Sequence, residues 1–279
     1  MFLDLGAIWP RLTGGFKLQQ PSLKFIETPY PSSHLGNLLA QFRAKGYVVL
    51  PNVFKRESVD NFRQEVESVI VKTQDGRFEL PDNRPELVYP LKAPRIRDPL
   101  SRALSPSQMA PKISVFETAW LISESGKNLG GWHKDRQHEG MPGREYHYPL
   151  AVHLGIYYRD IESIEDGPTA IIPRSHQDQN LNPYNGSEQE LFLARKEDVI
   201  MWDQRLWHQA NSRQKEGWRI FTIYGFYPIQ AFQGYEIHKM PRALAQAWLD
   251  SEGTADEIFY GGTFSLDSVR RGLERIEQS

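Results

Sequence analysis

Between Ile113 and Tyr227 the chain is cut into short β-rich runs, and no other feature restricts its fold as much. Ile113, Val115, Ala119 and Leu121 alternate with Ser114, Phe116, Thr118 and Trp120, the period of two that sends successive side chains to opposite faces of a strand. Residues 150–158, 169–173, 198–202 and 219–227 read as further strands. Turn signals at Ser125-Gly126, Asp166-Gly167-Pro168 and Asn185-Gly186 separate them. Many short strands at this spacing predict a sandwich or jelly roll. Helical spacing flanks them. Residues 38–46 form a short amphipathic pattern ended by Gly46, and residues 47–50 a short β-branched strand. Over 56–73, Val59, Phe62, Val66, Val69 and Ile70 recur at three and four. Residues 241–249 and 265–276 are candidate helices. Residues 75–111 are punctuated by prolines, at 81, 85, 90, 94 and 99 among others, with little periodicity, and predict a long loop that either covers a pocket or lies passively on the surface.

Composition narrows the chemistry. Hydrophobic residues make up 39% and charged residues 24% of the 279, as in a globular enzyme. Lys plus Arg is 33 against 35 for Asp plus Glu, a formal charge of −2, so nucleic acid is not an expected partner. No apolar run approaches the ~20 residues of a membrane helix, and no membrane association is expected. The N-terminus has an early acid, no basic segment and a proline, unlike a secretory signal, which makes the cytoplasm the default. There is no cysteine, so any metal must be held by His and carboxylate.

Such a set is present. Gly131-Trp132-His133-Lys134-Asp135 contains a His-x-Asp pair. On or beside a strand end, residues i and i+2 present one imidazole and one carboxylate to the same point. His208 follows on another strand, after the apolar run Val199-Ile200-Met201-Trp202. Two imidazoles and a carboxylate are the facial triad of mononuclear non-haem Fe(II) sites. By itself His-x-Asp is common, and eight histidines make a third ligand easy to find. Arg219 adds weight. It opens the apolar strand Arg219-Ile220-Phe221-Thr222-Ile223, and a buried guanidinium is costly unless it meets an anion. That anion is either an internal carboxylate or the 5-carboxylate of 2-oxoglutarate.

In order along the chain, Gly46-Tyr47-Val48-Val49-Leu50-Pro51, the His-x-Asp segment, Asp166-Gly167-Pro168-Thr169-Ala170-Ile171-Ile172-Pro173-Arg174-Ser175-His176 and the strand running into His208 resemble the phytanoyl-CoA dioxygenase family. This family comprises Fe(II)/2-oxoglutarate-dependent oxygenases, and the likeness spans roughly residues 40–228. It implies a mainly β fold with flanking α-helices around a double-stranded β-helix (jelly-roll, cupin-like) core. Residues 1–279 would be a single domain: an irregular arm at 1–36, the oxygenase core with its N-terminal helices at 37–230, and a C-terminal helical extension at 231–279. His133, Asp135 and His208 would bind Fe(II) and serve as the catalytic centre. Arg219 would anchor 2-oxoglutarate, with Thr118 a second candidate on the cosubstrate side. O2 would be the oxidant, and succinate and CO2 the coproducts of hydroxylation at an unactivated C–H. Asp135 argues against halogenation, whereas desaturation, epimerisation and ring formation stay open.

The chain departs from the family pattern in three places. Arg174 replaces a glycine and Asp166 an asparagine. Ala210 stands where some members carry a serine that holds the 2-oxoglutarate tail. His176 reads as structural; His138, His147 and His153 are alternates for the metal, read as pocket-wall or surface residues. Trp120, Trp132, Tyr157, Tyr158 and Trp207 are candidates for an aromatic substrate pocket, with core packing the competing reading. Arg95, Arg97 and Lys127 are candidates for meeting an anionic group on the substrate. The expected partner is a small molecule, a natural product such as an alkaloid, with a cyanobacterial cylindrospermopsin precursor as the sharpest expectation from overall likeness. Oligomeric state has no signature in the chain. Two other readings compete: a jelly-roll metalloenzyme that does not use 2-oxoglutarate, and a non-catalytic ligand-binding relative.

Overall fold

The computed structural model describes residues 21–74, 77–104, 113–126, 130–135, 149, 151–178, 180–228, 241–252, 254 and 259. The first helix, α1 (Ser32–Lys45), buries Leu35, Leu38, Leu39 and Phe42, one stripe at three- and four-residue spacing. It ends at Gly46, whose left-handed φ of 84° lets its N–H bond to Phe42 O at 2.7 Å. Glycine is required there twice over, because a Cβ would collide with the His176 ring and Leu206. The chain passes directly into β1 (Tyr47–Leu50). The next helix, α2 (Arg56–Ser68), buries Val59, Phe62 and Val66. It stops short of the expected Thr73. The β-branched run Val69-Ile70-Val71 favours extended backbone, and β2 (Val71–Lys72) pairs with β3 (Phe78–Glu79).

The long loop expected at 75–111 is not what its described residues form. Two short 3-10 turns, Pro85–Leu87 and Tyr89–Lys92, lead into α3 (Pro94–Leu104). Pro94 occupies the first helical position, where its missing N–H costs nothing. Ile96, Leu100, Ala103 and Leu104 form a fully buried stripe that outweighs the interior Pro99. Arg95 and Arg97 belong to this bracing rather than to a substrate pocket. Arg95 donates to Thr28 O and Asn52 O, and Arg97 to Leu91 O.

The remaining strands are β4 (Ile113–Ser123), β5 (Val152–Ile156), β6 (Thr169–Ile171), β7 (Glu190–Leu191), β8 (Val199–Asp203), β9 (His208–Ala210) and β10 (Arg219–Pro228). All pairings are antiparallel. They build a seven-stranded sheet in the order β1-β8-β5-β10-β4-β3-β2 and a three-stranded sheet in the order β7-β6-β9. One face of the large sheet, with Val48, Leu154, Met201, Ile220 and Tyr224, packs on the helices. The other, with Tyr47, Ile200, Trp202 and Phe221, packs on Ile171, Phe192 and Leu206 of the small-sheet side. This is a mainly β, jelly-roll arrangement with helices on one flank. The last described helix, α4 (Arg242–Asp250), buries Leu244 and Trp248, close to its expected position. The helix expected at 265–276 lies outside the described residues. Among those residues no helix is long and apolar enough to cross a membrane.

One irregularity matters for the site. Gly225 of β10 pairs with Glu117, but Phe226 pairs with Val115, so β4 carries an extra residue at 116. Such a bulge shifts the alternation by one. Val115 therefore joins the helix-side core. Glu117, Ala119, Leu121 and Ser123 turn to the inner face, opposite Gly225, Ile223, Phe221 and Arg219. The unbroken alternation expected over 113–121 is thus interrupted.

Candidate functional site

The two histidines meet through their backbones. His133 N–H bonds to His208 O and His208 N–H to His133 O, both at 3.0 Å, an antiparallel bridge beside β9. Residues paired in this way project to the same face, and the imidazole centroids lie 4.3 Å apart. Asp135, two residues on, returns to that face: Oδ1 lies 3.7 Å from His133 Nε2 and Oδ2 3.4 Å from His208 Nε2. One ligand atom from each of the three residues falls within 4.8 Å of the others. His133 Nδ1 faces Gly131 O and His208 Nδ1 faces Leu206 O, each at 2.9 Å. With the proton on Nδ1 in each ring, both Nε2 lone pairs point into the gap. His208 is buried, while the His133 side chain is half exposed, so the cluster opens to solvent on one side.

The residue between the pair points the other way. Lys134 Nζ donates to Ser175 O at 3.0 Å and Asp178 O at 3.3 Å, and lies 5.4 Å from the centre of the Trp207 ring. Burial pulls its pKa below the usual lysine range. Ser175, fully buried, accepts from Trp207 N–H at 2.8 Å, which holds the backbone next to His208. The Pro-x-Ser-His segment is therefore a clamp on both ligand-bearing strands, and His176 packs beneath Gly46 as a structural residue. Arg174 adopts the left-handed conformation at φ 65°, the reason a glycine suits this turn.

Behind Asp135 stands His153, which the sequence reading places at a pocket wall or the surface. It is 2% exposed. Its Nδ1 lies 2.9 Å from Asp135 Oδ2. Its Nε2 lies 3.2 Å from Glu117 Oε2 and 2.6 Å from the Gln204 side-chain amide. Burial opposes ionisation of Asp135, but His153 and His208 outweigh it and hold the carboxyl well below the usual range. Burial likewise opposes charge on His153, but Asp135 and Glu117 prevail and raise its pKa to about 9.

A second polar group occupies the inner face of the large sheet. Arg219 is 2% exposed and its Nε donates to Gly167 O at 2.8 Å. Neither Nη1 nor Nη2 has a hydrogen-bond partner among the described residues. Burial pulls its pKa down, against the favourable influence of Tyr157, but a guanidinium stays charged. Its cross-strand partner is Ser123, whose buried Oγ also has no partner among the described residues. Two buried donors thus stand side by side at this end of the inner face.

Not every expected residue lies in the site. Thr118 and Trp120 pair with Tyr224 and Thr222 and point to the helix-covered face. Trp120 stacks on Tyr158 there at 5.6 Å. The register places Thr118 and Trp120 across the sheet from the His133–Asp135–His208 cluster, because the bulge gives this face to the even-numbered residues of β4 beyond 116, and Tyr158 packs there with Trp120. Tyr157 is on the inner face but stacks on Phe221 at 4.2 Å, and its hydroxyl is bonded to Thr169 N and Oγ1. It packs the Arg219 end rather than lining an open pocket. Trp132 and Trp207 are half-buried near the cluster, Trp207 donating from Nε1 to Leu181 O. Lys127, His138 and His147 lie outside the described residues. Ser123, Glu117 and Gln204 carry no motif. Only the strand register, which a single chain does not reveal, brings them to the site.

The family described as phytanoyl-CoA dioxygenase (PhyH) matches residues 42–221. No curated protein matches the chain. Among solved structures, the non-haem α-ketoglutarate-dependent epimerase SnoN from nogalamycin biosynthesis aligns at 18% identity over 71% of this chain and 82% of its own, with a TM-score of 0.56. HygX from Streptomyces hygroscopicus, with nickel and 2-oxoglutarate bound, aligns at 23% identity over 69% and 86%, with a TM-score of 0.53. A second HygX structure, which also holds hygromycin B, aligns with the same figures. These likenesses bear on the fold.

Proposed function

This chain belongs to the phytanoyl-CoA dioxygenase family, and on that premise we propose that it is an Fe(II)- and 2-oxoglutarate-dependent oxygenase that hydroxylates an unactivated C–H of a small natural product. The observation that carries the reading is Arg219: a buried guanidinium whose two NH2 groups have no hydrogen-bond partner among the described residues, on the inner sheet face. Burying such a group without an anion costs several kcal/mol in stability, on the order of 3, and a cosubstrate carboxylate removes that cost. A metalloenzyme that ignores 2-oxoglutarate leaves Arg219 unexplained.

The donor set fits the metal. Two neutral imidazoles and one ionised carboxylate, with no thiolate, suit Fe(II). His133 Nε2, Asp135 and His208 Nε2 would hold it, leaving the solvent-facing side for small molecules. Bound there with 2-oxoglutarate and O2, iron supplies the oxidation: R–H, 2-oxoglutarate and O2 give R–OH, succinate and CO2. The work of this chain is orientation. The Gly131 and Leu206 carbonyls fix both imidazole tautomers. Arg219 and Ser123 receive the remote carboxylate, Ser123 taking the part that Ala210 lacks a hydroxyl to play. Asp135 occupies the third ligand position and so excludes a halide.

The substrate side is the inner face of β4 beyond the small sheet. Glu117, Ala119 and Leu121 are partly exposed there, Leu121 by 43%, beside half-buried Ile223. One carboxylate among apolar side chains suits a mid-sized organic molecule rather than a polyanion. Natural-product tailoring accords with SnoN, from nogalamycin biosynthesis, and with HygX, which binds hygromycin B. The test is succinate formation by Fe(II)-loaded protein with 2-oxoglutarate and O2 over a panel of alkaloid, glycoside and acyl-CoA substrates. We expect iron-dependent succinate that His133→Ala abolishes, and a substrate product heavier by one oxygen. Failure of iron-loaded protein to bind 2-oxoglutarate would overturn the reading.

A further inference from the structure

His153 sits where three independent features converge. The β4 bulge turns Glu117 to the inner face. Gly225, on the strand between β4 and β5, pairs with Glu117 on one side and His153 on the other. Residues two strands apart stand about 10 Å from each other along the sheet, and a side chain at 225 would stand between them. With glycine there, Glu117 Oε2 reaches His153 Nε2 at 3.2 Å. Gln204, wholly buried in the turn after β8, closes on the same nitrogen at 2.6 Å. Edge contact with Trp202, 5.2 Å between centroids, confines the ring further. Everything behind the imidazole fixes it, and its other nitrogen, Nδ1, stands 2.9 Å from Asp135 Oδ2, at ion-pair distance though off the line of a straight hydrogen bond.

We propose that His153 is a positioning residue for the metal centre: it grips Oδ2 of Asp135 so that the carboxylate offers Oδ1 to the metal as a single-oxygen ligand, with Glu117 and Gln204 bracing the ring from behind. Asp135 lies at the edge of the small sheet, in a segment without regular strand structure. His153 ties it to the centre of the large sheet. Partners of this kind orient ligands and typically change metal affinity 10- to 100-fold, by rough precedent. The inference rests on the metal-site reading above and adds to it a residue outside the ligand triad.

The test is titration of metal-free protein with Co(II), read by calorimetry and by the visible cobalt spectrum. His153→Asn keeps an N–H donor where Nδ1 stands and can still hold Asp135. His153→Gln keeps a donor near Nε2, toward Glu117, and loses Asp135. Both are polar and smaller than or similar to histidine, so a merely structural role treats them alike. We expect Asn to bind Co(II) within about fivefold of the native protein with an unchanged spectrum. We expect Gln to bind about 10- to 100-fold more weakly, with an altered spectrum. Equal affinities and spectra for the two variants, whether both native-like or both weak, overturn the proposal. If the native protein takes up no Co(II), or His133→Ala takes it up equally well, the metal site itself is refuted, which is a separate result.

Discussion

Replacing Arg219 with methionine separates a functional arginine from a structural one, because the two roles predict opposite signs. Among the described residues the guanidinium makes one hydrogen bond, from Nε to Gly167 O at 2.8 Å, and Nη1 and Nη2 have no partner. Methionine preserves the packing against Tyr157 and Phe221, which lie 5.6 and 5.3 Å from the guanidinium carbon. Losing the bond to Gly167 costs about 1 kcal/mol. Removing a buried charge without a counter-ion gains roughly 1–4 kcal/mol. The net is about 0–3 kcal/mol in favour of the variant, or roughly 0–9 °C in Tm for a chain of this size. For 2-oxoglutarate the sign reverses. Two charge-assisted hydrogen bonds at about 1.5–3 kcal/mol each disappear, so Kd rises by roughly 100- to 1000-fold or more. Thermal melts with and without 2-oxoglutarate, together with calorimetric titration of metal-loaded protein, measure both numbers. A variant that melts well below the native protein, or that binds 2-oxoglutarate unchanged, refutes the assignment of an anion site to Arg219.

Ser123→Ala is expected to raise Kd and KM for 2-oxoglutarate about 5- to 10-fold, the equivalent of one hydrogen bond, with little change in kcat or Tm because Oγ has no partner among the described residues; unchanged KM removes Ser123 from the pocket. Asp166 gives a pH prediction. Burial opposes its ionisation, but Lys215 and the N–H groups of Glu162 and Ser163 outweigh it and depress its pKa. A depressed carboxyl stabilises the fold above the unfolded value near about 4, and that stability is lost as pH falls through the folded value. Asp166→Asn leaves Arg213 buried opposite a neutral amide. It should cost about 2–3 kcal/mol at neutral pH and flatten the stability profile between about pH 5 and 2. Denaturation curves parallel to the native protein's at every pH contradict this.

The ligands of the centre can be read from the chain because their chemistry is local. His133 and Asp135 stand two apart, and the signature residues around Ser175 and His208 are contiguous strings. The strands are legible for the same reason, since alternation is a nearest-neighbour property. The helical segment at 85–104 is harder to see, because four prolines dominate local propensity while the buried stripe of Ile96, Leu100 and Leu104 acts only through tertiary packing. Thr118 and Trp120 are misplaced by the sequence reading for a geometric reason. In a strand, one extra residue exchanges the faces, and the residue at 116 is extra only with respect to β10.

By itself, then, the sequence determined the reaction chemistry available here: two imidazoles, one carboxylate, one arginine in an apolar strand, and no thiol. Short-range spacing and residue type suffice for that. The tertiary structure decided which groups stand behind these residues. His153 reaches Asp135 because β5 lies in the large sheet beside β10 and Asp135 at the edge of the small one. Glu117 reaches His153 because Gly225 leaves the space between them open, and Ser123 faces Arg219 because the bulge set the register. Each of these depends on which strand lies beside which and on a shift of one residue in pairing, and neither quantity is written in any local stretch of the chain.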